Sequence, residues 1–291
     1  MGNVCYDCGK NPLSGEVYKT PTDERRRTVK GLIYYYSATG NTKLACQYLL
    51  GHMGLPIDLV DIIDGKTIDI DAYDVVGFAS PTDFWGIPQV FAAFIEGLPL
   101  QKEKPAFVVN TFGARGGKTL HLLDKALTLR GFCVLAGHSL RMPENYPPMI
   151  AWRMGAKSAP SPKQLREFDT FIRSVRVLLN RVADKERIRK GPVPISFIDR
   201  LLPTRPRSSA RKYMGQKFVD EALCTECGVC HRDCPYHAIR MEPKPLFDMN
   251  KCLGCWRCYN RCPAHAIYTQ KYRGGPYYAG PNDLLREKFG V

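Results

Sequence analysis

The chain has 291 residues, 44% of them hydrophobic, with 42 Lys and Arg against 28 Asp and Glu for a net charge of +14. This composition excludes a collagen, a coiled coil and a wholly disordered chain, and no apolar run is long enough for a transmembrane helix. Residues 1–10 lack the apolar stretch of a secretory signal, so a cytoplasmic protein of two domains is expected.

Residues 1–27 read as a polar leader ending in Asp23-Glu24-Arg25-Arg26-Arg27. Its one C-x-x-C, Cys5 and Cys8, supplies two of the four ligands a metal site needs. It is either a half-site completed by another chain or part of a loosely ordered tail.

Thr28–Tyr36 is β-branched and aromatic and predicts a strand, followed by the hydroxyl-rich turn Ser37–Thr42 and a helix from Lys43 to Leu50. Further strands are predicted at Ile57–Val60, Val75–Ala79, Ala106–Asn110 and Phe132–Ala136, with helices at Val90–Gly97 and Thr119–Arg130. This alternation predicts an α/β domain over residues 28–183, with five parallel strands covered by helices on both faces. From Pro162 to Lys190, Leu165, Phe168, Ile172, Val175, Leu179 and Val182 recur at helical spacing and predict an amphipathic last helix.

Residues 184–212, with Pro192, Pro194, Pro203 and Pro206, read as a stiffened basic linker. The segment 161–212 holds 14 basic and 5 acidic residues. Such an excess serves an acidic protein partner, an anionic membrane or nucleic acid, or is a solvated face. No nucleic-acid motif accompanies it, so nucleic acid is not expected. Arg187, Arg189, Lys190, Arg205 and Arg207 are candidates for steering an acidic redox partner. The linker equally permits a homodimer in which halves of different chains meet. Residues 271–291 read as an irregular tail.

Twelve Cys in a reducing compartment are expected to bind metal rather than form disulfides. Cys224-x2-Cys227-x2-Cys230-x3-Cys234-Pro235 repeats 28 residues later as Cys252-x2-Cys255-x2-Cys258-x3-Cys262-Pro263. Zinc uses paired C-x-x-C units with a spacer, whereas three closely spaced Cys plus a Cys-Pro suit an iron–sulfur cubane. In such a pair the fourth Cys ligates the other cluster. Cys224, Cys227, Cys230 and Cys262 would hold one cluster; Cys252, Cys255, Cys258 and Cys234 would hold the second. Residues 213–270 resemble the bacterial-type two-[4Fe-4S] ferredoxins, a small α+β domain, and both motifs match without departure.

The turn Ser37-Ala38-Thr39-Gly40-Asn41-Thr42 between strand and helix is an anion site, with backbone N–H groups and hydroxyls free to donate. It is neither a Walker A loop nor a G-x-G-x-x-G fingerprint, so a lone phosphomonoester fits it best. Two further loops follow strands, at the sheet end where α/β proteins bind ligands. The first carries Pro81, Thr82, Phe84, Trp85 and Gly86, whose two aromatics offer faces for a flavin ring. The second carries Thr111, Phe112, Gly113, Arg115, Gly116 and Gly117, where Arg115 or Lys118 could stabilise a reduced, anionic flavin or could equally be solvated.

These residues resemble the flavodoxin family, whose phosphate loop is Ser37-x-Thr39-Gly40-Asn41-Thr42. The resemblance implies FMN and strand order 2-1-3-4-5. The chain departs from it at Thr111–Lys118, where flavodoxins often have an acidic loop with a tyrosine; Met142-Pro143-Glu144-Asn145-Tyr146 offers a tyrosine instead. A flavodoxin-like half followed by a two-cluster half is similar to the fused flavodoxin–ferredoxin proteins of the "ferrodoxin" family. The resemblance implies electron transfer between FMN and two [4Fe-4S] clusters, to or from a redox protein or small substrate. If it is an enzyme, it is an oxidoreductase, although no nucleophile–base pair is visible. The alternative is a redox-sensing or assembly subunit whose flavodoxin-like domain docks without FMN.

Overall fold

The computed structural model describes residues 28–155, 157–186, 189–201 and 207–291. Cys5, Cys8, Arg187 and Arg205 lie outside the described residues, as does the side chain of Arg207.

Strands β1 (Gly31–Tyr35), β2 (Ile57–Asp61), β3 (Val75–Pro81), β4 (Lys104–Phe112) and β5 (Phe132–Arg141) form one parallel sheet ordered β2-β1-β3-β4-β5. Helices α1 (Asn41–Met53), α2 (Gln89–Gly97), α3 (Thr119–Leu129) and α5 (Pro162–Ala183) cover it; the short α4 (Pro147–Ala151) follows β5. The pleat explains why β1 is apolar throughout. Ile33 and Tyr35 join the α1/α5 core, while Leu32 and Tyr34 join the core beneath α2 and α3. The fold is α/β and flavodoxin-like, followed by a small α+β unit.

Several strands outrun the sequence prediction. β5 continues from Ala136 to Arg141, twice the expected length, because β4 supplies a partner for each added residue. Gly137, His138 and Ser139 have weak strand preference, and the neighbouring ladder overrides it. Helix α5 begins at a capping box between Ser161 and Gln164 and stops at Ala183, not Lys190.

The predicted linker is partly built into the fold. Gly191 N–H donates to Val134 O at 3.0 Å, and Val193 packs under the sheet. Lys190 pairs with Asp124 at 2.8 Å. Helices α6 (Phe197–Leu201) and α7 (Arg207–Met214) follow. Arg211, at the end of α7, donates to Met249 O and Asn250 O. Lys190 and Arg211 therefore bind this chain's own elements.

The C-terminal unit contains β6 (Lys217–Val219), α8 (Val229–Arg232), β7 (Ile239–Glu242), β8 (Lys244–Phe247), α9 (Arg257–Arg261) and β9 (Ile267–Thr269). β6 pairs with β9 and β7 with β8, both antiparallel. Its core gathers Met214, Ile239, Trp256, Tyr259 and Ile267, with Tyr146 of the first unit packed against it. The tail is not irregular to its end: Asn282 caps α10 (Asp283–Lys288), which returns to the first unit. Leu285 and Phe289 are buried in the α1/α5 core. Among the described residues no helix is long and apolar enough to cross a membrane.

Candidate cofactor sites

The turn after β1 is shaped by Gly40, which takes φ 104° as the N-cap of α1. That left-handed value favours glycine. Ser37, Thr39, Asn41 and Thr42 are buried. Thr42 Oγ1 lies 2.8 Å from Thr111 Oγ1, tying the turn to the end of β4. A cavity with about 340 Å³ of empty space opens here, lined by Ser37, Thr39, Asn41, Thr42, Thr111 and Phe112 among others.

A larger cavity, with about 1170 Å³ of empty space, adjoins it and shares Thr82, Gly113, Glu144 and Asn145. Its aromatic wall is Phe84 and Trp85, with ring planes 19° apart and centroids 6.4 Å apart. Both residues sit at positive φ, 52° and 69°. The turn is closed by reciprocal backbone bonds between Asp83 and Gly86, and Lys118 N–H donates to Trp85 O at 2.9 Å. Thr119 Oγ1 reaches both Gly86 O and Gly116 O. A side chain at Gly117 would strike the Trp85 backbone. Gly86, Gly116 and Gly117 thus line neither cavity but brace the aromatic turn. Pro81 lines the smaller cavity, and Thr82 Oγ1 donates to Gly116 O at 3.0 Å. Arg115 lines the larger cavity, and its guanidinium pairs with Asp199 at 3.1 Å.

Sequence reasoning missed most of the remaining wall. Glu144 accepts from Ala114 N at 2.9 Å and from Asn145 N and Tyr146 N at 3.0 Å. Asn145 Nδ2 donates to Thr39 Oγ1 at 2.9 Å. The far wall comes from the second unit: Tyr213, Gly254, Cys255 and Trp256. Trp256 meets Tyr146 edge-on, with centroids 6.1 Å apart. Two hydrogen bonds fasten this wall beside the turn. Asn260 Nδ2 donates to Asn145 O at 2.8 Å, and Tyr278 Oη donates to Asn41 Oδ1 at 2.5 Å. Only long-range folding assembles this wall, although the second Cys motif hints at it by carrying Trp256-Arg257 where the first has Gly228-Val229.

The eight motif cysteines divide between two cavities. Cys224, Cys227, Cys230 and Cys262 line one, with about 340 Å³ of empty space. Cys234, Cys252, Cys255 and Cys258 line the other, with about 300 Å³. Each set of four thiols is the soft donor set that a cubane requires. The fourth sulfurs receive matching backbone bonds, Ala266 N to Cys262 Sγ at 3.3 Å and Ala238 N to Cys234 Sγ at 3.4 Å. The second cavity also holds Lys217, whose ammonium donates to Cys258 Sγ at 3.2 Å and Cys252 Sγ at 3.3 Å. Burial alone pulls the Lys217 ammonium down, but the sulfurs of Cys258, Cys252 and Cys255 outweigh it and raise its affinity for the proton.

Residues 32–137 match the family model of a flavodoxin domain, and residues 223–266 match that of a 4Fe-4S dicluster domain. The chain joins a flavodoxin domain to a dicluster domain. The first implies FMN and the second two [4Fe-4S] clusters, which together suggest an iron–sulfur flavoprotein in electron transfer. No curated protein matches it. A flavodoxin from the domain Archaea aligns at 14% identity over 52% of this chain and 98% of its own, with a TM-score of 0.38. Rubredoxin oxygen:oxidoreductase from Desulfovibrio gigas aligns at 20% identity over 54% of this chain and 38% of its own, with a TM-score of 0.41. A putative flavoprotein from Bacteroides eggerthii aligns at 23% identity over 39% of this chain and 89% of its own, with a TM-score of 0.32.

Proposed function

We propose that this protein passes electrons between one FMN and two [4Fe-4S] clusters within a single chain, and to or from an acidic redox partner. One observation carries the reading. The cavity walled by Phe84, Trp85 and Tyr146 is closed on its far side by Cys255 and Trp256. The FMN phosphate would be held by the turn Ser37–Thr42, with Thr111 and Phe112 beside it. The ring would lie between the Phe84–Trp85 turn and Gly113–Arg115, with Trp256 across the cavity. Cys224, Cys227, Cys230 and Cys262 would hold one cluster, and Cys252, Cys255, Cys258 and Cys234 the other. When bound, FMN supplies exchange of one or two electrons and each cluster supplies one. The chain's own residues set distance and exclude water. Of the expected steering residues Arg189 is exposed, and with exposed Arg166, Arg173 and Arg176 on α5 it would meet an acidic partner.

Anaerobic preparation of the full chain should give about eight iron, eight acid-labile sulfide and one flavin per chain. Zinc in place of iron, or no flavin, overturns the reading; the latter outcome favours a docking module. Rapid mixing with a reduced acidic partner should show association slowing with salt, while flavin–cluster transfer is unaffected by salt or dilution. Transfer that slows on dilution would mean that the cofactors meet between molecules.

A further inference from the structure

The two cysteine motifs are related by a 28-residue repeat, and the fold obeys it around both thiol cavities. Ala238 corresponds to Ala266, and each donates to the fourth sulfur of its own set. His237 and His265 correspond and share positive φ, 48° and 52°. At three repeat-related positions the cavities differ in charge. Lys217 in the cavity of Cys252, Cys255 and Cys258 corresponds to Pro245 in the cavity of Cys224, Cys227 and Cys230. Arg257 corresponds in the same way to Val229. The third difference is an acid: Glu226 lines the first-motif cavity where its counterpart Gly254 has no side chain.

The differences are unequal in weight. Glu226 is half-exposed and faces Lys244 at 3.5 Å, so its charge is largely answered by that lysine and by water. Arg257 is 5% exposed and is engaged with Ser37 O. Lys217 is 4% exposed, and its ammonium touches two sulfurs of one set. Cluster potentials follow net charge, hydrogen bonds to sulfur and solvent exposure. A buried cation donating to sulfur stabilises the form carrying one more electron, because low dielectric leaves its field unscreened.

We propose that Lys217 holds the cluster beside the flavin cavity at a higher reduction potential than the outer cluster, so that a single electron shared by the two rests next to the flavin. The outer set, which includes the exposed Cys227, is then the lower-potential port. This inference rests on the cluster assignment above, but it concerns the clusters alone and does not need the flavin to exchange electrons with them.

The test is an EPR-monitored redox titration of the anaerobically purified full chain. Two one-electron steps at separate midpoints are expected. In Lys217→Met the higher midpoint should fall by about 59 mV or more, one decade in the ratio of oxidised to reduced form, with the lower midpoint unmoved. Lys217→Arg should restore most of the difference, which a merely structural role would not predict. The reciprocal variant Pro245→Lys should raise the lower midpoint, and it decides the matter if Lys217→Met fails to assemble its cluster. Coincident wild-type midpoints, or a shift of the wrong step in Lys217→Met or Pro245→Lys, overturn the inference. Two well-separated midpoints in a chain that lacks flavin would overturn the flavoprotein reading and leave this one standing.

Discussion

Arg257 Nη1 donates to the carbonyl oxygen of Ser37 at 2.5 Å, across 220 residues of sequence. Ser37 opens the turn after β1, and Arg257 opens α9 between Trp256 and Cys258. The guanidinium also lies over Tyr36, with its carbon 5.8 Å from the ring centroid. One buried side chain thus spans the two cofactor regions and fixes the turn against the second unit.

Arg257→Met should weaken flavin binding by about tenfold to a hundredfold, as expected for loss of a hydrogen bond to a charged donor. Titrating FMN into deflavinated protein and following flavin fluorescence measures this. Unchanged affinity would show that the turn keeps its shape without the second unit.

Thr39→Glu should abolish flavin binding while leaving the iron content intact, because a carboxylate would occupy the space of a phosphate at the buried turn. Full flavin occupancy in this variant would place the phosphate elsewhere.

Cys262→Ser should remove the cluster of Cys224, Cys227 and Cys230, so that iron falls from about eight to about four per chain. The surviving EPR signal should still respond to Lys217→Met. A surviving signal indifferent to that change would mean that Cys262 serves the other set.

His138 is flanked by the rings of Phe168 and Phe171, each with its centroid 5.3 Å away. Burial lowers its pKa to about 4, against a smaller opposing pull from Glu167. The folded value lies below the unfolded one, so the unfolded chain binds the extra proton first. Stability is therefore full above about pH 6.5 and falls as pH drops toward 4, by at most about 3 kcal/mol. In His138→Phe the acid-sensitive part should shrink, which thermal unfolding at pH 5 and pH 7.5 would reveal. Equal losses in both proteins would clear His138 of the role.

Phe289→Ala should cost about 3–5 kcal/mol, since the ring is fully buried and meets Tyr48 edge-on. Denaturant unfolding followed by a signal from the first unit measures this. A cost near zero would mean that α10 rests on the core without sealing it.

The sheet was legible because buried parallel strands are runs of Val, Ile, Phe and Tyr, and Gly31–Tyr35 and Val75–Ala79 need no partner to announce themselves. The cysteine pattern was equally plain, since spacing along the chain is itself the information. What the sequence hid is what two distant segments make together. Tyr278 reaches Asn41 from 237 residues away, and Lys217 meets Cys258 from a strand that precedes both motifs. Gly137-His138-Ser139 was hidden for a different reason, because the β4 ladder, not local preference, draws it into β5.

The placement of α10 also orders events on the ribosome. The first unit is synthesised before the cysteine motifs, yet Leu285 and Phe289, which complete its core, come after them. Domains usually fold one by one as they emerge; here the earlier one stays open along its α1/α5 seam until the later one has been made. A nascent chain stalled before residue 285 lacks the two side chains, Leu285 and Phe289, that fill this apolar seam.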